Sequence, residues 1–420
     1  MAKALVLGAG IVGVTMAYEL WRDGHEVTVV DREAGAADFT SFGNAGMIAP
    51  GHAYAWASPA APMILLKSLW RNDQALRLKP SLDPAFLKWM WKFWGECNAE
   101  RAELNTRRKV RLCNYSQSVF HETRNKTGVR YDANDGGILY LFRSAGAFEA
   151  ANRKADVLRA EGAVINVLDR DGIGEKDPAL AERKDQFAGA LHAANDETGD
   201  CRIFARNLVS WLEDQGVSFR WNTEVRGFET EGDRVSAVVT GQGKLTADII
   251  VLSLGVYSPH VARQLGIDLP IYPVKGYSMT IPIAGRNNAP RIGGIDEESL
   301  VAYSPMGDRL RVTATAEFSG YGREFKPSDF RHMTNVIKGL FPDGADYART
   351  EYWAGLRPMT PEGTPILGKT RFANLWMNTG QGHMGWTMSH GASRIVADLI
   401  AGRPSGIPLD GMTLESRQVR

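Results

Sequence analysis

Apolar and polar positions repeat with different periods along this chain, and the places where the period changes outline its elements. Residues 4–7 (Ala-Leu-Val-Leu) form a short unbroken apolar run, the pattern of a strand covered on both faces. After Gly8-Ala-Gly-Ile-Val-Gly13 the period becomes helical: Val14, Ala17, Tyr18, Leu20 and Trp21 share one face, and Asp23-Gly24-His25 closes the turn. Glu26–Val30 then predicts a second strand. Strand, glycine turn, helix and strand make a βαβ unit at the start of the chain.

Further along, residues 98–127 predict a long helix with its charges outside. Gly136–Arg143 reads as a strand, Phe148–Glu161 as a helix, Glu175–Leu180 as an acidic turn around Pro178, and Phe204–Gln215 as an amphipathic helix. Val217–Trp221, Val235–Thr240 and Lys244–Ala247 read as strands. Asp248–Ser258 reads as a buried parallel strand running into a glycine turn. Alternation over Ile271–Ile283, Leu300–Ser304 and Arg309–Glu317 predicts an antiparallel sheet suited to wall a substrate cavity. Residues 327–341 predict a helix, and the glycine-rich stretch Asn378–Gly391 opens another that runs through Ala392–Ile400.

Composition narrows the class without naming it. The chain has 420 residues, 44% hydrophobic and 23% charged, with a formal net charge of +1. That suits a globular protein of two or three domains and gives no electrostatic argument for a nucleic-acid partner. Cys97, Cys113 and Cys201 are scattered, which fits neither a disulfide framework nor a zinc site, and no metal is expected. No signal peptide and no apolar run long enough to span a bilayer are read, so the expected location is the cytoplasm. Residues 56–94 are aromatic and basic, with Trp56, Trp70, Trp89, Trp91 and Trp94 among Lys67, Arg71, Lys88 and Lys92. The pattern allows an interfacial helix at 84–94 or one packed on the core as a lid. The face shared by Lys88 and Lys92 favours the second. The first would put a peripheral contact on the inner face of the cytoplasmic membrane.

The chemistry starts at Gly8–Gly13. In G-x-G-x-x-G after a strand, Gly8 permits the tight turn, Gly10 lets backbone approach a pyrophosphate, and Gly13 lets the helix pack close to the strand. The helix N-terminus at Ile11 and Val12 offers N–H groups to phosphate. Asp31, at the end of the second strand and followed by Arg32, can accept from a ribose. These residues point to a dinucleotide and leave FAD and NAD both open. A second small-residue loop, Phe39–Gly51, carries Ser41, Asn44, Ala45, Gly46 and Met47. A plain NAD domain has no use for it there. A flavoprotein has one, beside the pyrophosphate and ring.

Together with Asn195–Cys201, Ile271–Pro282, Trp353–Gly368 (which contains Gly-Leu-Arg-Pro-Met-Thr-Pro-Glu-Gly-Thr-Pro) and Asn378–Met388, these pieces resemble the D-amino acid oxidase superfamily of FAD enzymes. The likeness is nearest to its D-amino acid dehydrogenases of the small-subunit type and spans essentially the whole chain. It implies an α/β fold with a discontinuous Rossmann-like FAD-binding domain (1–80, 190–270 and 350–420). Into this is inserted an α+β substrate domain with an antiparallel sheet (81–189 and 271–349). It also implies oxidation of an amino acid at its Cα–N bond, with Cα hydride passing to flavin N5. The imino acid hydrolyses to a 2-oxo acid and ammonia, and the electrons go to a quinone or another acceptor. Small to medium apolar D-amino acids are the expected substrates. D-hydroxyproline, sarcosine or glycine, with O2 as acceptor, is the alternative, and a binding protein that keeps the fold without turnover is a rival of another class.

The resemblance assigns roles residue by residue. Arg357 is expected to bind the substrate carboxylate, an anion suited to a bidentate guanidinium, with Arg311 as the competing candidate. Tyr54, Tyr277 and Tyr303 are candidates to line the pocket, with His383 and His52 assisting. Val225, Gly255, Gly355, Gly382, Met384, Gly385, Trp386 and Thr387 join the cofactor set, the last five beside the flavin ring. There, the helix opening after Gly380 can stabilise negative charge. The chain departs from the dehydrogenase pattern at Gln381, where that pattern has His, with a His two residues later at 383. Phe42-Gly43 and Met47 depart as well. These departures bear on the substrate range.

Overall fold

The computed structural model describes residues 1–68, 76–283, 285 and 288–418. Trp70 and Arg71 of the aromatic segment lie outside them. The apolar run at the start forms the strand Lys3–Leu7, which pairs in parallel with Glu26–Val30 on one side and Ile249–Leu252 on the other. Leu375–Thr379 and Ser218–Arg220 extend this sheet in parallel, and Ile366–Lys369 closes one edge antiparallel, giving six strands. Helices Ile11–Arg22 and Gly385–Ile400 pack against each other on one face. Their contact is part polar, with Thr15 Oγ1 2.9 Å from Ser393 Oγ and Arg394 donating to the buried Glu19 at 2.6 Å. Ala99–Thr127 lies over the second of these helices. Gly391 is needed there, since a Cβ would meet the Ser116 backbone at 2.8 Å. The other face carries a three-stranded antiparallel meander, Val225–Glu231, Arg234–Thr240 and Gly243–Leu245.

The second sheet has nine strands and is mainly antiparallel. Its strands run in the order Glu351–Met359, Tyr272–Pro282, Arg309–Phe318, Val301–Met306, Gly293–Asp296, Ile138–Phe142, Gly189–Ala193 and Ile165–Leu168, with Leu76–Leu78 beside Arg309–Phe318. One face is sealed by helix Arg331–Leu340, whose Met333 and Ile337 pack with Tyr277, Tyr303 and Val312. The chain divides between the two sheets differently from the expected segments. Glu351–Met359 belongs to the larger sheet because it pairs with Tyr272–Pro282 along its whole length, from Tyr272 opposite Met359 to Thr280 opposite Glu351. Leu76–Leu78 and Gly189–Ala193 belong there too, whereas Ala99–Thr127 packs on the helices of the smaller sheet.

Helix Pro84–Glu96 packs one face on the core, as the second reading of its sequence expects, and leaves the other exposed. Phe86, Trp89 and Phe93 pack with Tyr272 and Phe318, while Trp91 is 82% and Trp94 57% exposed. Among the described residues, no helix is long and apolar enough to cross a membrane.

Candidate active site

One cavity of about 1030 Å³ runs between the two sheets. At one end it is lined by the first glycine turn, Asp31, Arg32 and the stretch Thr223–Arg226. At the other it is lined by Trp353, Gly355, Arg357 and the turn Gln381–Thr387.

The glycine turn is built as its sequence requires. Gly8 has φ +105°, and a Cβ there would sit 2.7 Å from the Ser253 carbonyl oxygen. A Cβ on Gly13 would sit 1.8 Å from the Gly8 carbonyl oxygen. Gly10 differs, because a Cβ there would meet nothing closer than Ser41 Oγ at 3.5 Å. The protein leaves that space beside the helix start free for a ligand. Ser41 Oγ accepts from the Ile11 N–H at 3.1 Å and ties the second loop to the helix N-terminus. Asp31 accepts from the Ala9 N–H (2.6 Å) and the Glu33 N–H (2.8 Å). Two of about four carboxylate lone-pair positions are thereby filled, and the rest stay open to the cavity. Arg32 pairs with Glu33 and lies over the Tyr257 ring.

The loop at 39–51 is buckled to the larger sheet. Arg311 donates to the Asn44 carbonyl at 2.8 Å and to Thr280 Oγ1, Ser304 Oγ to the Ala45 carbonyl at 2.8 Å, and Thr40 Oγ1 to the Leu356 carbonyl at 2.8 Å. The far side is clamped by Thr387, whose hydroxyl accepts from the Ala49 N–H and donates to the Met47 carbonyl. The loop, the last helix and the larger sheet thus meet at one point.

At that point two glycines face each other across the strands, Gly276 opposite Gly355. A Cβ on Gly276 would strike the Arg357 guanidinium at 2.5 Å, and one on Gly355 the Trp353 ring at 1.9 Å. Their bareness clears room for both side chains. Arg357 donates through one nitrogen to the Thr315 carbonyl at 2.9 Å. Among the described residues no carboxylate pairs with it, and burial pulls its pKa down to about 10. A guanidinium with most of its five donors unfilled, facing a cavity, is a receptor for an anion.

His383 stacks on Trp56 with centroids 4.5 Å apart. Burial, with Lys109, Arg357 and His52 nearby, holds its pKa well below the usual imidazole value, so the ring is neutral. Gln381 donates to Asn378 Oδ1 at 2.7 Å and closes the turn in front of it. The helix beginning at Gly385 has no side-chain cap, and space beside Gly385 is open. Its N–H groups and dipole therefore favour negative charge in the cavity. Trp386 also lines the cavity, but its ring packs among Phe120, Tyr131 and Phe204.

The cavity brings together Tyr54, Tyr277, Arg357 and His383 from the expected catalytic set, and all of the expected cofactor set except Gly13. Gly13 acts one layer back, through its contact with Gly8. Tyr303 and Arg311 do not reach the cavity. Tyr303 is fully buried on the opposite face of the sheet against Phe341, because its neighbour Ala302 takes the cavity side of an alternating strand. Arg311 is spent on the loop carbonyls. Tyr277 reaches the cavity, but its hydroxyl donates to Glu317 at 2.8 Å. The sequence reading missed Trp353, Lys154 and Glu297. It also missed Lys109, a fully buried lysine that donates to the Tyr54 carbonyl at 2.5 Å and whose pKa burial lowers to about 8. Nothing in the local sequence marks Lys154, Glu297 or Lys109, whereas Trp353 opens the Trp353–Gly368 segment that carries the resemblance.

A family model described as FAD dependent oxidoreductase (DAO) matches residues 3–399, and the chain belongs to that family, with FAD as its cofactor. A protein from Mesorhizobium japonicum named D-amino acid dehydrogenase 2 is 44% identical over 411 residues, 98% of this chain and 99% of its own. One from Sinorhizobium medicae named D-amino acid dehydrogenase is 46% identical over 401 residues, 96% of each. Among solved structures, glycine oxidase from Geobacillus kaustophilus superposes with a TM-score of 0.75 at 20% identity, covering 99% of both chains, a likeness of fold.

The residues present fit FAD. Two helix starts whose own N-cap residue gives no side-chain cap, at Ile11 and Gly385, open on one cavity, the first with only its Ile11 N–H taken, by Ser41 Oγ. The space beside Gly10 and Gly385 is bare, and Asp31 keeps acceptor positions free.

Proposed function

We propose that this protein is an FAD-dependent D-amino acid dehydrogenase, converting D-amino acids to 2-oxo acids and ammonia and passing the electrons to a quinone or another acceptor. The observation that carries this reading is Arg357: an arginine without a carboxylate partner among the described residues, at the end of the cavity where the last helix begins. The full-length likeness to the named dehydrogenases supports the choice of reaction and of D-substrates. The six-stranded sheet would carry the cofactor and the nine-stranded sheet the substrate.

In this reading Gly8–Val12, Ser41 and Asp31 hold the dinucleotide phosphates and ribose. Val225 and Gly255 border that end, and Met47 with Gly382–Thr387 surrounds the ring. Bound FAD supplies the two-electron acceptor for the Cα–H bond. Arg357 grips the substrate carboxylate and so fixes which Cα bond points at the acceptor. The amine must be neutral to release its electron pair. Arg357, Lys109 and a largely apolar wall all lower an ammonium pKa in their vicinity. His383, held neutral by burial and the neighbouring cations, can accept a hydrogen bond from the amine, while the proton itself leaves to water. The dipole of the helix beginning at Gly385 stabilises the negative charge that builds as electrons arrive. Under anaerobic conditions D-alanine should bleach the flavin's visible band and L-alanine should leave it.

The acceptor end has its own support. Exposed Leu87, Trp91 and Trp94 lie on a helix that also carries Lys88 and Lys92, and its neighbour Ala61–Ser68 exposes Met63 and Leu66 while Ile64 and Leu65 line the cavity. An apolar face with lysines suits an anionic bilayer, the source of a quinone. The protein should co-sediment with vesicles containing phosphatidylglycerol, and Trp91→Ala with Trp94→Ala should weaken this several-fold. Wild-type protein left wholly in the supernatant would remove the membrane from the account.

A further inference from the structure

The cavity has a second cation that the reaction does not use. Among its described lining residues the carboxylates are engaged: Asp31 by backbone N–H groups, Glu33 by Arg32, Asp38 by Arg202 and Arg206, Glu224 by Arg226, and Glu297 by His52. Of the lysines and arginines that line it, Arg357 and Lys154 are left without a carboxylate. Lys154 is the last residue of helix Ala145–Lys154 and is both exposed and part of the cavity wall, so it stands at an opening. Its ammonium lies 4.1 Å from the centre of the Tyr54 ring. Its Nζ makes no hydrogen bond within the described chain.

Glu297 faces the same opening. One of its oxygens takes the His52 Nε2 at 2.8 Å, and its charge acts on Lys154 without the two coming into ion-pair contact. The two are linked through the wall between them: Lys154 sits on the Tyr54 ring, whose centre is 6.0 Å from that of His52, the partner of Glu297. The same hairpin turn ends at Leu300, which lines the cavity, is 50% exposed and is held at φ +51°. That region is strained for a leucine and ordinarily given to glycine in such turns. An apolar side chain thus joins the same cavity wall, three residues after Glu297.

We propose that Lys154, Glu297 and Leu300 form an outer subsite that takes the amino-acid zwitterion at the cavity mouth, carboxylate on Lys154 and ammonium on Glu297, before the carboxylate passes to Arg357. This rests on the reading of the protein as an amino-acid dehydrogenase. The site matches an amino acid in solution, with both charges present. It matches the 2-oxo acid product poorly, because that lacks the ammonium group. The pair therefore favours entry of substrate over return of product.

The test is the anaerobic reduction of the FAD-loaded enzyme by D-alanine, followed at rising substrate concentration. Lys154→Met and Glu297→Gln should each slow association of D-alanine, read as the concentration-dependent phase that precedes reduction, about five- to tenfold, with the limiting rate of reduction within about twofold of wild type. Lys154→Arg should restore the wild-type value. Added salt should slow wild-type association more than that of Lys154→Met. If both neutral variants match wild type in association rate and in its salt response while wild type is reduced normally, the outer subsite is overturned and the assigned reaction stands. If wild type is reduced by no D-amino acid, the assigned reaction falls and the ligand of the subsite falls with it.

Discussion

Replacing Arg357 by alanine should raise KM for the D-amino acid by roughly a hundredfold to ten-thousandfold while FAD stays bound. A hydrogen bond to a charged group contributes about 1.5–3 kcal/mol, a bidentate guanidinium–carboxylate contact supplies two, and each 1.4 kcal/mol is tenfold in affinity. The charge is already desolvated and has no other anion among the described residues, so no competing ion pair has to be broken when substrate binds. kcat should fall as well, because the same contact orients Cα. Arg357→Lys should recover little, since an ammonium cannot present the two parallel donors. The visible spectrum of the bound flavin checks that the cradle survives. An unchanged KM would move carboxylate recognition elsewhere, and Arg311 is an unsuitable heir because its guanidinium is consumed by the Asn44 carbonyl and Thr280.

Gly13→Val should yield a protein that does not retain FAD. Even the first added carbon would lie 1.8 Å from the Gly8 carbonyl oxygen and 2.8 Å from its carbon. Both are backbone, so relief requires the helix to move off the strand. Overpacking of this kind costs roughly 1–3 kcal/mol by itself. Loss of a cofactor present at a thousandfold excess over its Kd removes about 4 kcal/mol more. The purified variant should be colourless, with a lowered Tm that added FAD fails to restore. Gly10→Ala is the control. It has room in the protein itself, so its fold should hold while FAD affinity drops. A yellow Gly13→Val protein with wild-type Tm would contradict the packing argument.

Legibility of the fold in the sequence followed how local each signal was. The strand before Gly8, the helix after it and the helix after Gly385 are marked by periodicity and glycine placement within about a dozen residues. The observed elements begin within a few positions of those expected. Strands Gly189–Ala193 and Gly293–Asp296 are short and sit inside the larger sheet, Ile165–Leu168 is a short strand at its edge, and none of them carries a marked alternation of its own. Gly293–Asp296 pairs with Val301–Met306 across a short hairpin but also with Ile138–Phe142, far away in sequence.

The site was legible where backbone conformation demands a residue type, as at Gly8 and Gly13, and where a motif carries the resemblance, as at Arg357. It was illegible where the face of a strand decides. Ala302 and Tyr303 are adjacent and point to opposite sides, and both sides of this sheet are covered, one by the cavity and one by helix Arg331–Leu340. Polarity therefore did not reveal which residue faced the chemistry. Arg311 misled for a related reason. A buried arginine on a substrate-side strand looks the same in sequence whether it binds a substrate or a loop carbonyl. Lys154 and Glu297 come from separate elements and become a pair only through the fold.

The central claim is that this cavity oxidises D-amino acids with FAD. Its most direct test is the anaerobic titration of the purified, FAD-loaded protein with matched D- and L-amino acids, read as bleaching of the flavin's visible band. The account predicts full bleaching by D-alanine and other small apolar D-amino acids, none by their L-enantiomers, and release of 2-oxo acid and ammonia in equal amounts. A flavin that stays oxidised with every D-amino acid, or that bleaches with the L-series instead, would contradict it.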